Sequence, residues 1–576
     1  MTHFVAAWAP PGRQVDPKLA ERLTAVLSRA GDTVCTTLPR CIVVHWDSKL
    51  WPGESAQADG SRSIVVAGDP VVVLGTRTLP RAEAIAHLRD KAFDDPHAAL
   101  NDAQGSYAAL LWNAAGEMRV GTDKLGVRPI YWAQASGIVY ASTARWALMA
   151  MAEISAEPDY RAVVETCAFG VPLADRTLTS AIRVLGAGEF IDLTGHAPVV
   201  HRYWDWAALK SNGVREQDLV HYITEAFNQA VDSRLYGQDR VFAFLSGGMD
   251  SRIVVSRLRA LGTDVCALNF APPGSQDLLF GRLAAAAMRV RLFEFDDDSD
   301  EIMIRRGRAF KAWEVDPVNA GLRPTQNRLV WSGDGGSVGL GHVYLNERIV
   351  ARARTGDLDA TAQEIQRFNR YTVAPRSFAR PYRYLANGLL EAIKEDLLSR
   401  SGVEPGRNAH LFFMLNDQRR HLAVHYESLH EHRLDLVVPF FDARFLAAVL
   451  TSPIDPFLMH RLYNRLMADQ PFGLGQVPWQ VYPGHDPCPA APVESARLQW
   501  NEGWFDAVTS KRNARERMMR SLRFVLSSHF PADVLNRTLL GCAAAAGVLG
   551  LNRYEYLLNP IDPVCEATRI KADRGL

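Results

Sequence analysis

The pattern of hydrophobic and polar positions changes near residue 210. Before that point, short apolar runs alternate with turn residues, and Gly68-Asp69-Pro70 separates the first two runs with the composition of a tight turn. The apolar runs lie at residues 63–67, 71–74, 107–112, 118–120, 130–132 and 138–140. Short strands at this spacing predict stacked antiparallel sheets with little helix between them.

The second pattern begins after a polar linker at residues 210–213. Apolar residues then recur every three or four positions from 219 to 235, which predicts an amphipathic helix. The elements predicted next are a strand at 241–245, a glycine loop at 246–250, a helix at 251–261 and a strand at 265–270. This order is a βαβ unit, so we expect a parallel sheet here, and helical patterns dominate beyond about residue 360.

Composition narrows the classes of protein to consider. The 576 residues carry 64 Lys and Arg against 64 Asp and Glu, and 48% of them are hydrophobic. A nucleic-acid-binding chain usually has a basic excess, and a disordered chain has fewer apolar residues, so both classes are disfavoured. Seven scattered cysteines without a CxxC pair are typical of a reducing compartment, which predicts a cytoplasmic protein.

Membrane and export signals are not expected. No apolar run approaches the roughly 20 residues that span a bilayer. The first residues, MTHFVAAWAPPG, lack a basic segment, and Pro10-Pro11 interrupts their apolar stretch. We therefore predict neither a membrane span nor a signal peptide.

The glycine loop between the predicted strand and helix carries the strongest chemical signal. Gly247 and Gly248 allow backbone N–H groups to approach an anion, and the hydroxyls of Ser246 and Ser251 add donors at a helix N-terminus. Asp250 would repel phosphate unless a cation lies between them, so it is predicted to bind Mg²⁺. A plain strand-to-helix turn would explain the glycines but not the serines and the aspartate. ATP and Mg²⁺ are therefore the predicted ligands, although the loop lacks the Gly-Lys-Ser/Thr ending of a Walker motif.

The Ser-Gly-Gly-x-Asp-Ser loop resembles the PP-loop of the ATP pyrophosphatases, and other segments narrow the resemblance to the asparagine synthetase superfamily. Residues 121–132 (GTDKLGVRPIYW), 140–143, 177–188 and 203–204 are similar to its glutaminase-type domain. Downstream, Ser-Gly-Asp-Gly-Gly-Ser at 332–337 and Pro-Phe-Phe-Asp at 439–442 stand where the family has Ser-Gly-Glu-Gly-Ala-Asp and Pro-Phe-Leu-Asp.

This resemblance implies a fold of mixed α/β and α+β class in two domains. An N-terminal-nucleophile-type antiparallel β-sandwich at residues 1–209 would precede an ATP pyrophosphatase domain at 210–576, which has a parallel sheet and a helical C-terminal part. The implied phosphate-binding residues are Ser246, Gly247, Gly248, Asp250, Ser251, Arg252, Gly333 and Gly335. Arg252 would contact a phosphate or a substrate carboxylate, or serve only in an ion pair.

The sequence departs from the family at the glutaminase site. Glutamine-using members begin Met-Cys-Gly, whereas this chain begins Met1-Thr2-His3, and a hydroxyl is a weaker nucleophile than a thiolate. The Asn-Gly-Glu segment of the family's glutamine pocket is replaced by Ala67-Gly68-Asp69-Pro70. We therefore expect the first domain to lack glutaminase activity and to serve as a structural relic or a partner surface.

The sequence also departs from the family at the synthetase site. Asp334 replaces a family Glu that acts near the adenylated carboxyl, and we expect it to be the catalytic base. Ser337 replaces a family Asp that resembles a second Mg²⁺ ligand. A family Lys that stabilises transition-state charge has no counterpart in 476–484, and Arg461, Arg465 and Lys511 are candidate replacements.

Two clusters outside the motifs receive simpler interpretations. His421 and His425 lie four residues apart, with His430 and His432 beyond them, and hydrogen-bonded or solvated histidines are preferred to a metal site. Six basic residues in 511–523 favour a solvated amphipathic helix over a surface for an acidic peptide.

The resulting hypothesis is an ATP-dependent carbon–nitrogen ligase that adenylates a carboxylate without hydrolysing glutamine. Ammonia or an amine on the substrate would attack the adenylate, as in macrolactam or lasso-peptide cyclisation or in sugar-acid amidation. The alternatives are a non-catalytic nucleotide-binding homologue, asparagine synthetase itself and a PP-loop enzyme acting on tRNA. The predicted partners are ATP and a peptide or small-molecule carboxylate, with a pathway protein as a further candidate and no nucleic acid.

Overall fold

The computed structural model describes residues 2–28, 30–297, 302–314, 328–368, 373–432, 434–490 and 507–573. Its strands in chain order are β1 (His3–Trp8), β2 (Val34–Thr37), β3 (Cys41–Trp46), β4 (Ala56–Ala58), β5 (Arg62–Asp69), β6 (Val73–Leu74), β7 (Arg77–Thr78), β8 (Ser106–Asn113), β9 (Met118–Thr122), β10 (Tyr131–Ala135), β11 (Ile138–Ser142), β12 (Arg183–Val184), β13 (Glu189–Leu193), β14 (Val199–Arg202), β15 (Arg240–Phe244), β16 (Asp264–Asn269), β17 (Arg291–Glu294), β18 (Arg328–Trp331) and β19 (Leu434–Val437).

The α-helices in the same residues are α1 (Lys18–Leu27), α2 (Arg81–Lys91), α3 (Pro96–Asp102), α4 (Arg145–Met149), α5 (Tyr160–Phe169), α6 (Leu219–Asp232), α7 (Asp250–Ala260), α8 (Gln276–Met288), α9 (Ile302–Glu314), α10 (Gly336–Gly339), α11 (Glu347–Arg354), α12 (Leu358–Phe368), α13 (Leu389–Leu398), α14 (Pro405–Phe413), α15 (Arg419–His421), α16 (Ala423–Ser428), α17 (Ala443–Thr451), α18 (Arg461–Ala468), α19 (Ala507–Leu526), α20 (Arg537–Val548) and α21 (Ile561–Asp573). A π-helical turn (Met414–Gln418) connects α14 to α15. Shorter 3₁₀ turns occupy Trp206–Ala208, Glu216–Asp218, Pro375–Ser377, Arg380–Gly388, Leu429–His432, Pro439–Phe441, Asp455–His460, Leu474–Gln476 and Asn552–Leu558.

The N-terminal part contains two six-stranded antiparallel sheets, which confirms the predicted antiparallel architecture. Their strand orders are β12-β10-β11-β1-β3-β2 and β14-β13-β9-β8-β5-β4. Alternate residues of both sheets, among them Phe4 and Leu110, share one buried cluster. Their neighbours Val5 and Ala109 pack instead against helices on the outer faces. Because each central strand is covered on both sides, its sequence is apolar throughout rather than alternating.

Two sequence predictions for this part were wrong. We expected little helix, but α1 to α5 lie within it. We also expected a turn at residues 68–70, whereas β5 continues through Asp69 and pairs with β8 there. Gly68 makes this pairing possible, because its φ is +89° and an added Cβ would lie 2.1 Å from the Arg128 guanidinium.

The second part contains a five-stranded parallel sheet in the order β17-β16-β15-β18-β19, which confirms the predicted βαβ unit. The predicted amphipathic helix is α6, which buries Ile223, Phe227 and Val231. Helix α8 begins where the Ser275 side chain accepts a hydrogen bond from the Leu278 N–H group. Helices dominate after β18, as the pattern indicated.

Buried contacts join the two parts of the chain. The guanidinium of Arg128, from the first part, forms an ion pair with Asp435 of β19, and both side chains are fully buried. The indole N–H of Trp51 donates to the same carboxylate at 2.8 Å. In the described residues, no helix has both the length and the hydropathy needed to cross a membrane.

Candidate active site

A cavity of about 620 Å³ opens at the carboxyl ends of β15, β16 and β18. Parallel strands direct the loops that follow them to one edge of the sheet, so three separate chain segments meet there. Seven of the sequence-predicted residues line the cavity, namely Ser246, Asp250, Ser251, Gly333, Asp334, Gly335 and Ser337.

The loop after β15 is held by its own serines and by a carboxylate from α8. The Ser246 N–H group donates to Oγ of Ser251 at 2.9 Å, and the Gly248 N–H group donates to Oγ of Ser246 at 3.2 Å. The Gly247 N–H group donates to Oδ1 of Asp277 at 2.5 Å. A Cβ on Gly247 would lie 2.7 Å from the Asp277 backbone, so glycine is required for this close approach.

The loop after β18 packs directly on the first loop. A Cβ on Gly333 would lie 2.5 Å from the Ser251 nitrogen, and one on Gly336 would lie 2.6 Å from the Asp250 carboxylate. Gly335 adopts a φ of +93°, and a Cβ there would meet the Phe441 ring at 2.7 Å. These glycines therefore allow two backbone segments to meet with no side chain between them.

Asp250 lies at the contact between the two loops. Its Oδ2 accepts a hydrogen bond from Ser337, and its Oδ1 accepts one from the Tyr463 hydroxyl, both at 2.5 Å. Burial raises the pKa of Asp250 to about 6, and the nearby charge of Asp334 acts in the same direction. The Asp334 carboxylate accepts a hydrogen bond from the Ser332 hydroxyl at 2.5 Å.

The donor set at this contact fits a magnesium ion that is shared with a nucleotide. Asp250 and Asp334 supply two carboxylates, and the oxygen of Ser337 lies beside the first of them. No group of three or more His, Cys, Asp or Glu side chains in the described ranges has the geometry of a complete metal site. Mg²⁺ characteristically uses one or two carboxylates and completes its shell with substrate phosphates and water, so the residues present suit it.

The structure gives Arg252 different partners from those expected. Its guanidinium is buried and donates to the carbonyl oxygens of Val477 and Pro478 at 2.9 and 3.0 Å. It also donates to the Gly247 carbonyl oxygen at 3.4 Å, and it does not line the cavity. Arg252 thus fixes the 477–478 segment against the first loop, and we leave it out of the proposed phosphate site.

The cations in the cavity are residues that the sequence did not reveal. Among the described residues that line the cavity, the Arg and Lys side chains are Arg305 and Arg306 of α9. The candidates named from sequence lie elsewhere, since Arg461 pairs with Glu347 and both Arg465 and Lys511 are exposed outside the cavity. No local motif marks α9, and only the packing of its helix against β15 brings these arginines to the site.

Two of the histidines that were expected to be hydrogen-bonded or solvated also line the cavity, and His421 is exposed. His421 and His425 belong to its wall, and their ring centroids are 5.6 Å apart. Gln418, the last residue of the π-helical turn, lies beside them in the same wall. Turns of this kind often occur at functional sites, and no local pattern of residues predicted this one.

A buried cluster of histidines supports the second loop from behind. Arg407 donates from Nη1 to Nε2 of His342 and to Nδ1 of His410. The remaining ring nitrogens donate to the carbonyl oxygens of Leu340 and Val338, which fixes the tautomer of each ring. Burial lowers the pKa of His410 to about 3 and the pKa of His342 well below its usual value.

At the N-terminal site, Thr2 is buried and donates to Oδ1 of Asp47 at 3.0 Å. Asp69, at the position of the altered pocket segment, accepts hydrogen bonds from the Tyr236 hydroxyl of the second part at 2.8 and 2.9 Å. Arg81 donates to the Gly68 carbonyl oxygen in the same region. The polar groups of the former pocket segment are therefore bonded within the protein.

Comparisons with protein families and with curated proteins find similarity in both parts of the chain. Residues 82–204 match the model of a glutamine amidotransferase domain, and residues 222–326 match that of asparagine synthase. The chain is 26% identical over 159 residues to asparagine synthetase [glutamine-hydrolyzing] 1 of Bacillus subtilis, which covers 27% of this chain and 25% of that protein. It is also 26% identical over 295 residues to the carboxyethyl-arginine beta-lactam-synthase of Streptomyces clavuligerus, covering 48% of this chain and 54% of that one. The matched stretches thus span between a quarter and about half of these relatives.

Solved structures show more remote likeness. The allosteric regulatory enzyme of purine biosynthesis is 13% identical with a TM-score of 0.25, covering 46% of this chain and 64% of that one. The glutamine phosphoribosylpyrophosphate amidotransferase of Bacillus subtilis is 12% identical with a TM-score of 0.23, covering 64% and 79%. These scores are too low to carry an argument. The two domain matches and the curated relatives support the resemblance of this chain to the asparagine synthetase superfamily.

Proposed function

We propose that the protein is an ATP-dependent carbon–nitrogen ligase that adenylates a substrate carboxylate, releases pyrophosphate and forms an amide without using glutamine. The observation that carries the proposal is the contact of the two glycine loops around Asp250, beside Asp334, in one cavity at the carboxyl edge of a parallel sheet. The domains would meet near residue 210, as an N-terminal-nucleophile-type domain and an ATP pyrophosphatase domain of residues 1–209 and 210–576.

In this proposal the first loop binds the β- and γ-phosphates through the backbone and hydroxyl groups of Ser246, Gly247, Gly248 and Ser251, with Gly333 and Gly335 closing on them. Asp250 would hold Mg²⁺, which would supply positive charge to neutralise the phosphate oxygens. The buried loop contacts orient the nucleotide and exclude water from it.

The reaction would take two steps. An oxygen of the substrate carboxylate attacks the α-phosphorus, and the bond from phosphorus to the pyrophosphate oxygen breaks. The nitrogen of an amine then attacks the acyl carbon, the carbon–oxygen bond to AMP breaks, and a proton from the nitrogen passes to the Asp334 carboxylate. Asp334 suits this step because one of its oxygens is held by the Ser332 hydroxyl and the group faces the cavity.

Glutamine is not the proposed nitrogen source. Thr2 stands where the nucleophile is expected, and Tyr236 and Arg81 bond the groups of the altered pocket segment. The beta-lactam synthase among the relatives supports an amine carried on the substrate itself. Macrolactam or lasso-peptide closure is therefore proposed first, and amidation of a sugar acid with ammonia second. ATP, the carboxylate substrate and a peptide-processing or pathway protein would be the partners, in the cytoplasm.

The test is a pyrophosphate-release assay with ATP, Mg²⁺ and panels of amino-carboxylate peptides and of sugar acids with ammonia. Asp250→Asn should abolish release, whereas Asp264→Asn should not change it, because Asp264 is a half-exposed, ion-paired residue at the amino end of β16. Nucleotide binding without turnover of any candidate would instead favour a non-catalytic homologue. Glutamate release from glutamine that Thr2→Ala abolishes would contradict the glutamine-independent reaction.

A further inference from the structure

Helix α9 brings an arginine into the cavity that none of the proposed steps uses. Arg306 is 7% exposed and lines the cavity wall that faces the two glycine loops. Arginine is rarely buried to this extent unless its charge is paired, because removing the guanidinium from water is costly. Its position therefore calls for an anionic partner.

The contacts that the protein itself offers Arg306 are weak. Its guanidinium carbon lies 5.7 Å from the centre of the Phe310 ring, one turn along the same helix. Its Nε has no hydrogen-bond acceptor among the described residues. The charge of Asp334 acts on it across the cavity, but no ion pair closer than 4 Å joins the two side chains in the described part of the chain. The guanidinium thus retains donors in a cavity that Asp334 also lines.

The place of Arg306 within the cavity indicates which phosphate of a nucleotide it would bind. In the proposed function the terminal phosphates lie at the loop after β15, where Ser246 and Ser251 line the cavity, and the acyl group lies beside Asp334. A phosphate that lies between these two places is the one bonded to the ribose, which becomes part of the acyl-adenylate. A guanidinium is suited to this group because its N–H donors match two phosphate oxygens.

The geometry points to Arg306 as the residue that binds the α-phosphate of ATP and of the acyl-adenylate, supplying the positive charge that segment 476–484 lacks. The inference rests on the proposed nucleotide-binding function. Because the side chain is already held by burial and by the Phe310 ring, it would stabilise the charge of the pentacoordinate phosphorus without rearranging.

Nucleotide binding, measured by calorimetry in the presence of Mg²⁺, tests the assignment in the full-length protein. Arg306→Gln should bind ATP and AMP about ten- to hundredfold more weakly, since charge-assisted hydrogen bonds to a phosphate are lost. Adenosine, which has no phosphate, should bind both proteins equally. Arg306→Lys should recover part of the affinity because it keeps the charge.

Arg308 provides the matched control on the same helix. It is half-exposed and pairs with Asp297, so Arg308→Gln should leave the affinities for ATP, AMP and adenosine unchanged. The melting temperature of Arg306→Gln should equal or exceed that of the wild type, because a buried cation is removed. Arg306→Met is a second uncharged variant, and it keeps the aliphatic part of the side chain. A marked fall in the melting temperatures of both Arg306→Gln and Arg306→Met would indicate a purely structural arginine and overturn the assignment.

The same measurements distinguish a wrong α-phosphate assignment from a wrong assignment of the nucleotide site. Equal AMP binding by wild type and Arg306→Gln would overturn the α-phosphate contact while leaving the nucleotide site intact. Equal losses for adenosine and AMP would show collapse of the cavity instead of a lost phosphate contact, and would also overturn it. A wild-type protein that binds no ATP would refute the proposed function itself, and this inference with it.

Discussion

The histidine cluster behind the second glycine loop should make the protein lose stability as the pH falls from 7 to 5. His410 is fully buried, accepts a hydrogen bond from Arg407 and donates to the Val338 carbonyl oxygen. A proton on its Nδ1 would face the Arg407 guanidinium, so the folded protein keeps the ring neutral. Burial, with the charge of Arg407 acting in the same direction, lowers the pKa of His410 to about 3.

Proton linkage gives the direction and the size of this change in the free energy of unfolding. In the unfolded chain a histidine has a pKa of about 6.5, so between pH 7 and pH 5 it takes up most of a proton while folded His410 takes up almost none. The stabilisation from neutral His410 is therefore complete above pH 6.5 and is lost as the pH falls toward its folded pKa. At about 1.4 kcal/mol per pH unit, the loss from pH 7 to pH 5 is about 2 kcal/mol.

Equilibrium urea unfolding, followed by tryptophan fluorescence at pH 7 and pH 5, measures this quantity. Other groups titrate in the same range, so the informative value is the difference between the wild type and His410→Gln, which keeps hydrogen-bonding groups but does not titrate. The variant should lose about 2 kcal/mol less than the wild type on acidification. The exposed His529→Gln should lose as much as the wild type. An equal loss in the wild type and in His410→Gln would refute the assignment of a neutral, buried His410.

Three further substitutions test the buried ion pair between the two parts of the chain, the contact between the glycine loops, and the Asp250 carboxylate. Arg128→Met leaves Asp435 buried without its cation and should lower the unfolding free energy by about 3–5 kcal/mol, measured by urea unfolding; a change below 1 kcal/mol would contradict the role of this pair. Gly335→Ala places a Cβ against the Phe441 ring at a φ of +93°, so it should lower the melting temperature and weaken ATP binding in calorimetry, and unchanged values would contradict the tight loop contact. Tyr463→Phe removes a hydrogen bond that favours ionised Asp250, so the pKa of Asp250 should rise above about 6 and Mg²⁺-dependent ATP binding should fail at a higher pH than in the wild type. An unchanged pH midpoint would show that this carboxylate does not control binding.

Local signals in the sequence were sufficient for the framework of the site. The strand, loop and helix around Ser246–Asp250 are consecutive in the chain, so periodicity and glycine chemistry identify them directly. The parallel sheet follows, because two parallel strands need a crossover between them. The meeting of the loops after β15 and β18 at one sheet edge is a consequence of that topology.

The groups that the sequence did not predict come from distant parts of the chain. Tyr463 reaches Asp250 from α18, and Arg407 and His410 reach the second loop from α14. Each belongs to a helix whose periodicity reveals that it is amphipathic but not what it packs against. The helices of the first part were not predicted, although its continuous apolar strands are explained by them. These helices cover the outer faces of the sheets, so the sheets are buried on both faces.

The charges in the cavity predict how ligand binding would change the protonation of Asp250. Asp250 is buried with a pKa raised to about 6, the charge of Asp334 contributes to that rise, and the Nε of Arg306 has no acceptor in the described part of the chain. Each of these features is unfavourable alone, and a divalent cation with a nucleotide phosphate would relieve all three, because the cation favours both ionised carboxylates and the phosphate accepts from the guanidinium. Binding should therefore release the proton that Asp250 holds below pH 6, and the enthalpy measured at pH 5.5 should depend on the ionisation enthalpy of the buffer. A binding enthalpy that is the same in all buffers at that pH would mean that Asp250 does not change its charge, and a metal ligand at this position would be excluded.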